Sequence, residues 1–238
     1  SEQLSRVFFN LIKNSIESIQ DKKINIADLN GKIEISINEN VDIINFIIIG
    51  PKDTPYHNGI FEFHAYFPDD YPNSIPKVLL DTTGGGRVRF NPNLYQCGKV
   101  CLSILNTWSG PKWTSVMHLG SVIVSIQSLL NNNPLHNEPG FEKENGSRND
   151  TYNRIVEYDT HRNLILKNCF DIPSDYEMFE DKIKGHLLKQ KDNILSKIKD
   201  LSETNPNKIK ISLNIYNLNL IIDYPGTEKQ MHNKINLI

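Results

Sequence analysis

The stretch Ile43-Ile44-Asn45-Phe46-Ile47-Ile48-Ile49-Gly50-Pro51-Lys52-Asp53-Thr54-Pro55-Tyr56, followed by Gly59-Ile60-Phe61-Glu62-Phe63-His64-Ala65-Tyr66-Phe67, decides how this chain folds. Its first seven residues are an apolar, β-branched run, and Phe61, Phe63, Ala65 and Phe67 recur at the period of a strand. Upstream, Ile33, Ile35 and Ile37 alternate with polar residues; downstream, residues 78–80 add a short apolar piece. The turn-rich intervals between them are too short for helical crossovers, which predicts a four-stranded antiparallel meander. Ahead of it, Leu4, Val7, Phe8, Leu11, Ile12, Ile16 and Ile19 share one helical face, so an N-terminal helix is expected to cover one side of the sheet.

Residues 67–113 are rich in Pro, Gly and Asn, and so long an irregular stretch usually carries function. A helix follows, with Leu119, Val122, Ile123, Ile126, Leu129 and Leu130 on one face. Residues 142–149 are polar and read as helix-poor, which divides the chain into a core domain, 1–142, and a mainly helical C-terminal extension, 143–238. Within the extension, helical patterns run over 151–169 and 176–201, with Pro173 between them. Ile209, Ile211, Leu213 and Ile215 then alternate, and the phase shifts to Tyr216, Leu218, Leu220 and Ile222. That pattern describes either a strand with a bulge or turn near Asn217, or a tail that orders on a partner. The class is α+β.

The 238 residues carry a net charge of −2, with no basic excess for wholesale binding of nucleic acid, and no apolar run approaches the length of a membrane span. Three cysteines are too few for a disulfide framework and point to a reducing compartment, cytoplasmic or nuclear. Cys97 and Cys101 have no second ligand pair at metal spacing, so no metal and no cofactor are expected. Gly84-Gly85-Gly86, with Arg87 and Arg89 after it, lacks the ending of a phosphate cradle and reads as a turn. Trp108 reads as a core residue or a specificity contact.

The segment Asn91-Pro92-Asn93, followed by Gly98-Lys99-Val100-Cys101-Leu102, is where chemistry could sit. A thiol beside a Gly loop in irregular backbone is expected to be accessible and fixed, as a nucleophile requires. The Asn93 amide could fold back to donate to an oxygen that gains charge on attack. The competing reading makes Cys101 a small buried hydrophobe and Asn93 a turn residue.

The surrounding pattern favours the first reading. Residues 50–56, Gly59-Ile60-Phe61, Phe67-Pro68-Asp69-Asp70-Tyr71-Pro72, Pro76-Lys77-Val78, Asn91-Pro92-Asn93, residues 98–102, Trp113 and the 131–139 loop resemble, in this order, the ubiquitin-conjugating enzymes. The resemblance covers roughly residues 4–140. Thr82-Thr83-Gly84-Gly85, residues 88–95, residues 101–108, Asn137-Glu138-Pro139-Gly140-Phe141-Glu142 and Glu157-Tyr158-Asp159 are similar to the conjugating domain of the giant Apollon (BRUCE) type of carrier-ligase, in which an Asn such as Asn91 stands where most members have His.

The resemblance implies the fold of that family and an acyl transferase that holds ubiquitin as a thioester on Cys101 and passes it to a substrate lysine. Exchange between two thiols of similar pKa needs no dedicated base, which suits a cysteine with no His or Asp beside it in sequence. Attack by a lysine, ordinarily protonated to a pKa of ~10.4, is the harder step. There Asn93 either holds the oxyanion or braces the loop, and His136 and Asn137 align with the gate over the thioester. Ubiquitin, its activating enzyme and protein substrates are the implied partners. The family's ligase-docking surface maps to Arg6 and Lys13 of the first helix, to Tyr71, Pro72 and Asn73, and to Trp113 and Ser115. Asn73 stands where most members have an exposed hydrophobe, which argues against docking of a RING-type ligase. A non-catalytic module of the same fold and a scaffold working through its extension are the competing readings.

Overall fold

The computed structural model describes residues 43–167 and 170–237, together with the backbone of 33–37. The helix expected over 4–19, with Arg6 and Lys13, lies outside the described residues, as does Cys169. Four strands, β1 (Ile33–Ile37), β2 (Ile43–Ile49), β3 (Ile60–Tyr66) and β4 (Lys77–Leu80), pair antiparallel in sequence order, as the alternation predicted. The turn between β2 and β3 depends on Gly50: a Cβ there would sit 1.8 Å from the Tyr56 carbonyl oxygen.

Register aligns Phe46 with Phe63 and Ile48 with Phe61, and places Leu80 opposite Phe63. The Phe46 and Phe63 rings stack at 5.1 Å and Phe61 meets Phe90 edge-on at 5.2 Å, building the main apolar cluster. Helix α1 (Leu119–Leu129) contributes Leu119, Val122, Ile123 and Ile126 to the same cluster. These pairs occupy one face of the sheet, because side chains alternate along a strand.

The other face is covered too. Asn45, Ile47 and Ile49 are all buried; a 3₁₀ segment, Ser174–Phe179, lies against β1 and β2, and Asn45 Nδ2 donates to Asp175 O at 2.6 Å. That segment belongs to the C-terminal extension. There α2 (Ser147–Asp159) runs on into a π-helical stretch, Thr160–Lys167, and α3 spans Glu180–Thr204. The start of α2 corrects the helix-poor reading of 142–149. Asn149 is buried and its Nδ2 donates to Asn133 Oδ1 at 3.1 Å, a tertiary contact that outweighs the poor local propensity of Ser147 to Asp150.

Tyr152, Val156, Leu164 and Ile165 share one apolar cluster with Phe90 and Leu94, and the Tyr152 hydroxyl donates to Arg89 O at 2.9 Å. Between β5 (Ile209–Leu213) and β6 (Leu218–Ile222) the chain turns through Ile215–Asn217, with Tyr216 and Asn217 at φ of 69° and 51°. The strands pair with each other, so the phase shift in the sequence marks a hairpin. Sequence periodicity did not reveal α4 (Tyr224–Ile235). Its signal is Asp223, whose carboxylate accepts the Gly226 N–H at 2.9 Å, with Pro225 in the first turn.

Candidate active site

The site is a return of the chain between β4 and α1. Gly98 makes the return possible: its φ is 86°, and a Cβ would lie 2.7 Å from Leu80 O, the close approach that lets Leu80 N–H reach Gly98 O at 2.8 Å. Three residues on, the Cys101 N–H donates to Asn93 O at 2.8 Å, and Asn93 Nδ2 donates back to Cys101 O at 2.7 Å. Thr107 fixes the neighbours on either side. Its hydroxyl donates to Val100 O at 2.9 Å and accepts the Leu102 N–H at 2.9 Å. The cysteine backbone is therefore held before any substrate arrives, as a positioned nucleophile requires.

One expectation is corrected here. Cys101 is 1% exposed, not accessible. Both of its backbone groups are paired with Asn93, and its sulfur is covered. Asn93 itself, 5% exposed, is seen as a brace of this loop, and its Oδ1 is buried without a hydrogen-bond partner. Cys97 is free and exposed.

Asn91 is wholly buried and fully used. Its Oδ1 accepts the Asn93 N–H at 2.9 Å, while its Nδ2 donates to the Tyr56 hydroxyl at 3.2 Å and to Leu129 O at 3.0 Å. The Tyr56 hydroxyl in turn donates to Phe90 O at 2.8 Å, and burial pushes its pKa far above the usual tyrosine range. Leu129 is the last residue of α1, where carbonyls have no intrahelical partner. Asn137 Nδ2 donates to the same carbonyl at 3.3 Å. One helix end thus joins the Asn91–Asn93 turn to the short Pro134–Asn137 helix. His136 turns elsewhere, its Nε2 donating to Glu144 O at 2.9 Å.

A second link comes from the extension. The Arg89 guanidinium lies between the rings of Tyr95 (3.8 Å) and Tyr216 (3.9 Å) and donates through Nη2 to Pro92 O at 2.7 Å. The Tyr216 hydroxyl donates to Glu138 Oε2 at 2.5 Å. The sequence names these residues in separate motifs but does not bring Arg89, Tyr95, Glu138 and Tyr216 together, because they lie as far as 127 positions apart in the chain (216 − 89 = 127).

Of the residues expected at a docking surface, Tyr71 and Trp113 are buried and packed at 6.0 Å, with Trp113 Nε1 donating to Pro72 O at 2.8 Å. Pro72 is half-buried, whereas Asn73 and Ser115 are exposed. Val116 is 86% exposed, a large apolar side chain in the loop that follows Trp113. Trp108 is half-buried in its loop. Gly84, Gly85 and Gly86 all take positive φ and Arg87 Nε donates to Gly84 O at 3.1 Å, the turn expected of them. Among the described residues no group of three His, Cys, Asp or Glu is placed to hold a metal ion, and no helix is long and apolar enough to cross a membrane.

The family model described as "Ubiquitin-conjugating enzyme" matches residues 14–160, more than half of the chain. The chain belongs to the ubiquitin-conjugating enzyme family. It is 53% identical over 125 residues to "Ubiquitin-conjugating enzyme E2 Z" of Xenopus tropicalis, 52% of this chain and 40% of that protein. It is 47% identical over 164 residues to "Probable ubiquitin-conjugating enzyme protein 17" of Caenorhabditis elegans, 65% of this chain and 22% of that one. To the human "Dual E2 ubiquitin-conjugating enzyme/E3 ubiquitin-protein ligase BIRC6" it is 56% identical over 118 residues, 48% of this chain and 2% of that protein. The match thus spans less than half the length of each of these relatives. The likeness to conjugating enzymes, and to a giant carrier-ligase among them, agrees with the motifs at 88–95 and 137–142.

Proposed function

We propose that this chain is a ubiquitin carrier in which Cys101 takes ubiquitin as a thioester and yields it to a lysine amine. In the first step the Cys101 sulfur attacks the thioester carbonyl presented by an activating enzyme, which is itself charged at the cost of ATP. The Cys101 proton is lost and the enzyme's thiol leaves, so one C–S bond replaces another at little net free energy. In the second step a lysine amine attacks the new thioester, loses a proton, and expels the Cys101 thiolate as an amide forms.

The observation that carries this reading is the doubly hydrogen-bonded pairing of Cys101 with Asn93, clasped by Thr107, in a chain of this family. The Asn93 amide has two hydrogens and spends one on the brace, so the second is available to an oxyanion once the loop opens. Asn137, tied to Leu129 O, holds the gate over the thioester, with His136 beside it. A ligase would meet the face around Asn73, Ser115 and Val116, where Val116 supplies the apolar anchor that Asn73 does not. Ubiquitin, its activating enzyme and protein substrates are the partners, and a reducing compartment, cytoplasmic or nuclear, suits the free thiol of Cys97.

Incubation with ATP, activating enzyme and ubiquitin, followed by non-reducing electrophoresis, tests the proposal. Wild type gives a band heavier by one ubiquitin that dithiothreitol removes. Cys101→Ser gives an ester that survives reduction, and Cys101→Ala gives nothing. An adduct that persists in Cys101→Ala, or none in wild type, contradicts it.

A further inference from the structure

We infer that Tyr216, at the tip of the C-terminal hairpin, is a positioning residue that clamps the two loops of the active site together. The inference rests on the carrier reading for its catalytic consequence, but the clamp itself is a matter of geometry. One hydroxyl and one ring reach two separate segments. The hydroxyl donates to Glu138, whose own N–H donates to Leu135 O at 3.0 Å and so closes the Pro134–Asn137 gate. The ring covers one face of the Arg89 guanidinium, and that guanidinium holds Pro92 O in the turn that carries Asn93. Asn93 in turn holds both backbone groups of Cys101.

Two further features place the tip against the site. Tyr216 takes a φ of 69°, a conformation a bulky L-residue adopts only at a cost, at the point where it reaches the site. Its ring also rests on Tyr152, centroids 5.8 Å apart, and Tyr152 donates to Arg89 O, so the tip is seated on α2 as well as on the loop.

Releasing the clamp should loosen both loops around a thiol that is otherwise covered. The test uses the full chain with Tyr216→Phe, which keeps the ring and deletes the hydroxyl, Glu138→Ala, which deletes the acceptor, and Glu138→Gln, which keeps an acceptor. Two rates are read: alkylation of Cys101 by iodoacetamide, followed on its own peptide by mass spectrometry, and single-turnover discharge of charged protein to free lysine. Tyr216→Phe and Glu138→Ala are expected to speed alkylation and slow discharge by about fivefold each, the order of one lost hydrogen bond, with the extent of charging little changed. Glu138→Gln should retain more of both than Glu138→Ala. Rates within twofold of wild type in Tyr216→Phe and Glu138→Ala, on either readout, overturn the clamp. A wild type that alkylates normally but never accepts ubiquitin rejects the carrier reading instead, and alkylation alone then decides the clamp.

Discussion

Asn93 and Asn91 sit two residues apart and do different work. Asn93 closes a ring with Cys101, and removing its amide leaves a buried carbonyl without a donor. Asn93→Ala is therefore expected to lower unfolding free energy by about 1–3 kcal/mol, measured by urea denaturation. Unchanged stability would deny the brace. The pairing was open to inspection in the sequence, because eight positions is a reach that one chain reversal can close. Asn91 was not. Its partners Tyr56 and Leu129 are 35 and 38 positions away, and only the folded core brings them to one amide. The burial of Cys101 was one of two readings that the sequence left open, since composition shows that a loop is irregular but not what lies over it.

At the scale of elements, α1 and β3 could be read from the repeat of their apolar residues, and β2, buried on both faces, from a continuous apolar run. Helix α4 escaped because its buried residues, Tyr224, Thr227, Met231 and Ile235, are only partly apolar, so the repeat of a hydrophobic face is faint. Its start is fixed chemically. Asp223 accepts the Gly226 N–H and lies 3.0 Å from Lys208 Nζ, and the Lys208 ammonium followed by that N–H holds the carboxyl below its usual pKa. Asp223→Ala should cost about 0.5–2 kcal/mol of stability, the usual range for a lost N-cap. Asp223→Asn, which keeps a capping oxygen, should cost less, and equal losses in the two variants would contradict the cap.

At the scale of the whole molecule, the extension packs against β1 and β2, and polar groups of the sheet and of the extension line one cavity between them. Glu62, 3% exposed on β3, has its carboxyl raised to about 8 by burial and then by the charge of Asp81. His64, Asp81, Asp175, Tyr176 and Lys167 line the same cavity, and the hydrogen bond to Asp81 raises His64 above its ordinary value. An unfolded Glu loses its proton near pH 4.3, whereas the folded one keeps it to about pH 8. The contribution of Glu62 is thus fully present below the unfolded value and is lost as pH rises through the folded one. His64, raised above its ordinary value by the hydrogen bond to Asp81, acts in the same sense. Thermal stability should fall between about pH 5 and pH 8 and level off above that, and Glu62→Gln should flatten that fall; equal slopes in the two proteins would remove Glu62 from the explanation.

The chemistry of the molecule comes down to whether a covered sulfur can take up an acyl group and give it back. Intact mass measured at intervals after mixing with ubiquitin, activating enzyme and ATP reads this directly. The account predicts a gain of one ubiquitin less one water, mapped to the Cys101 peptide and abolished by a reducing thiol. No gain, or a gain on another residue that reduction leaves in place, would contradict it.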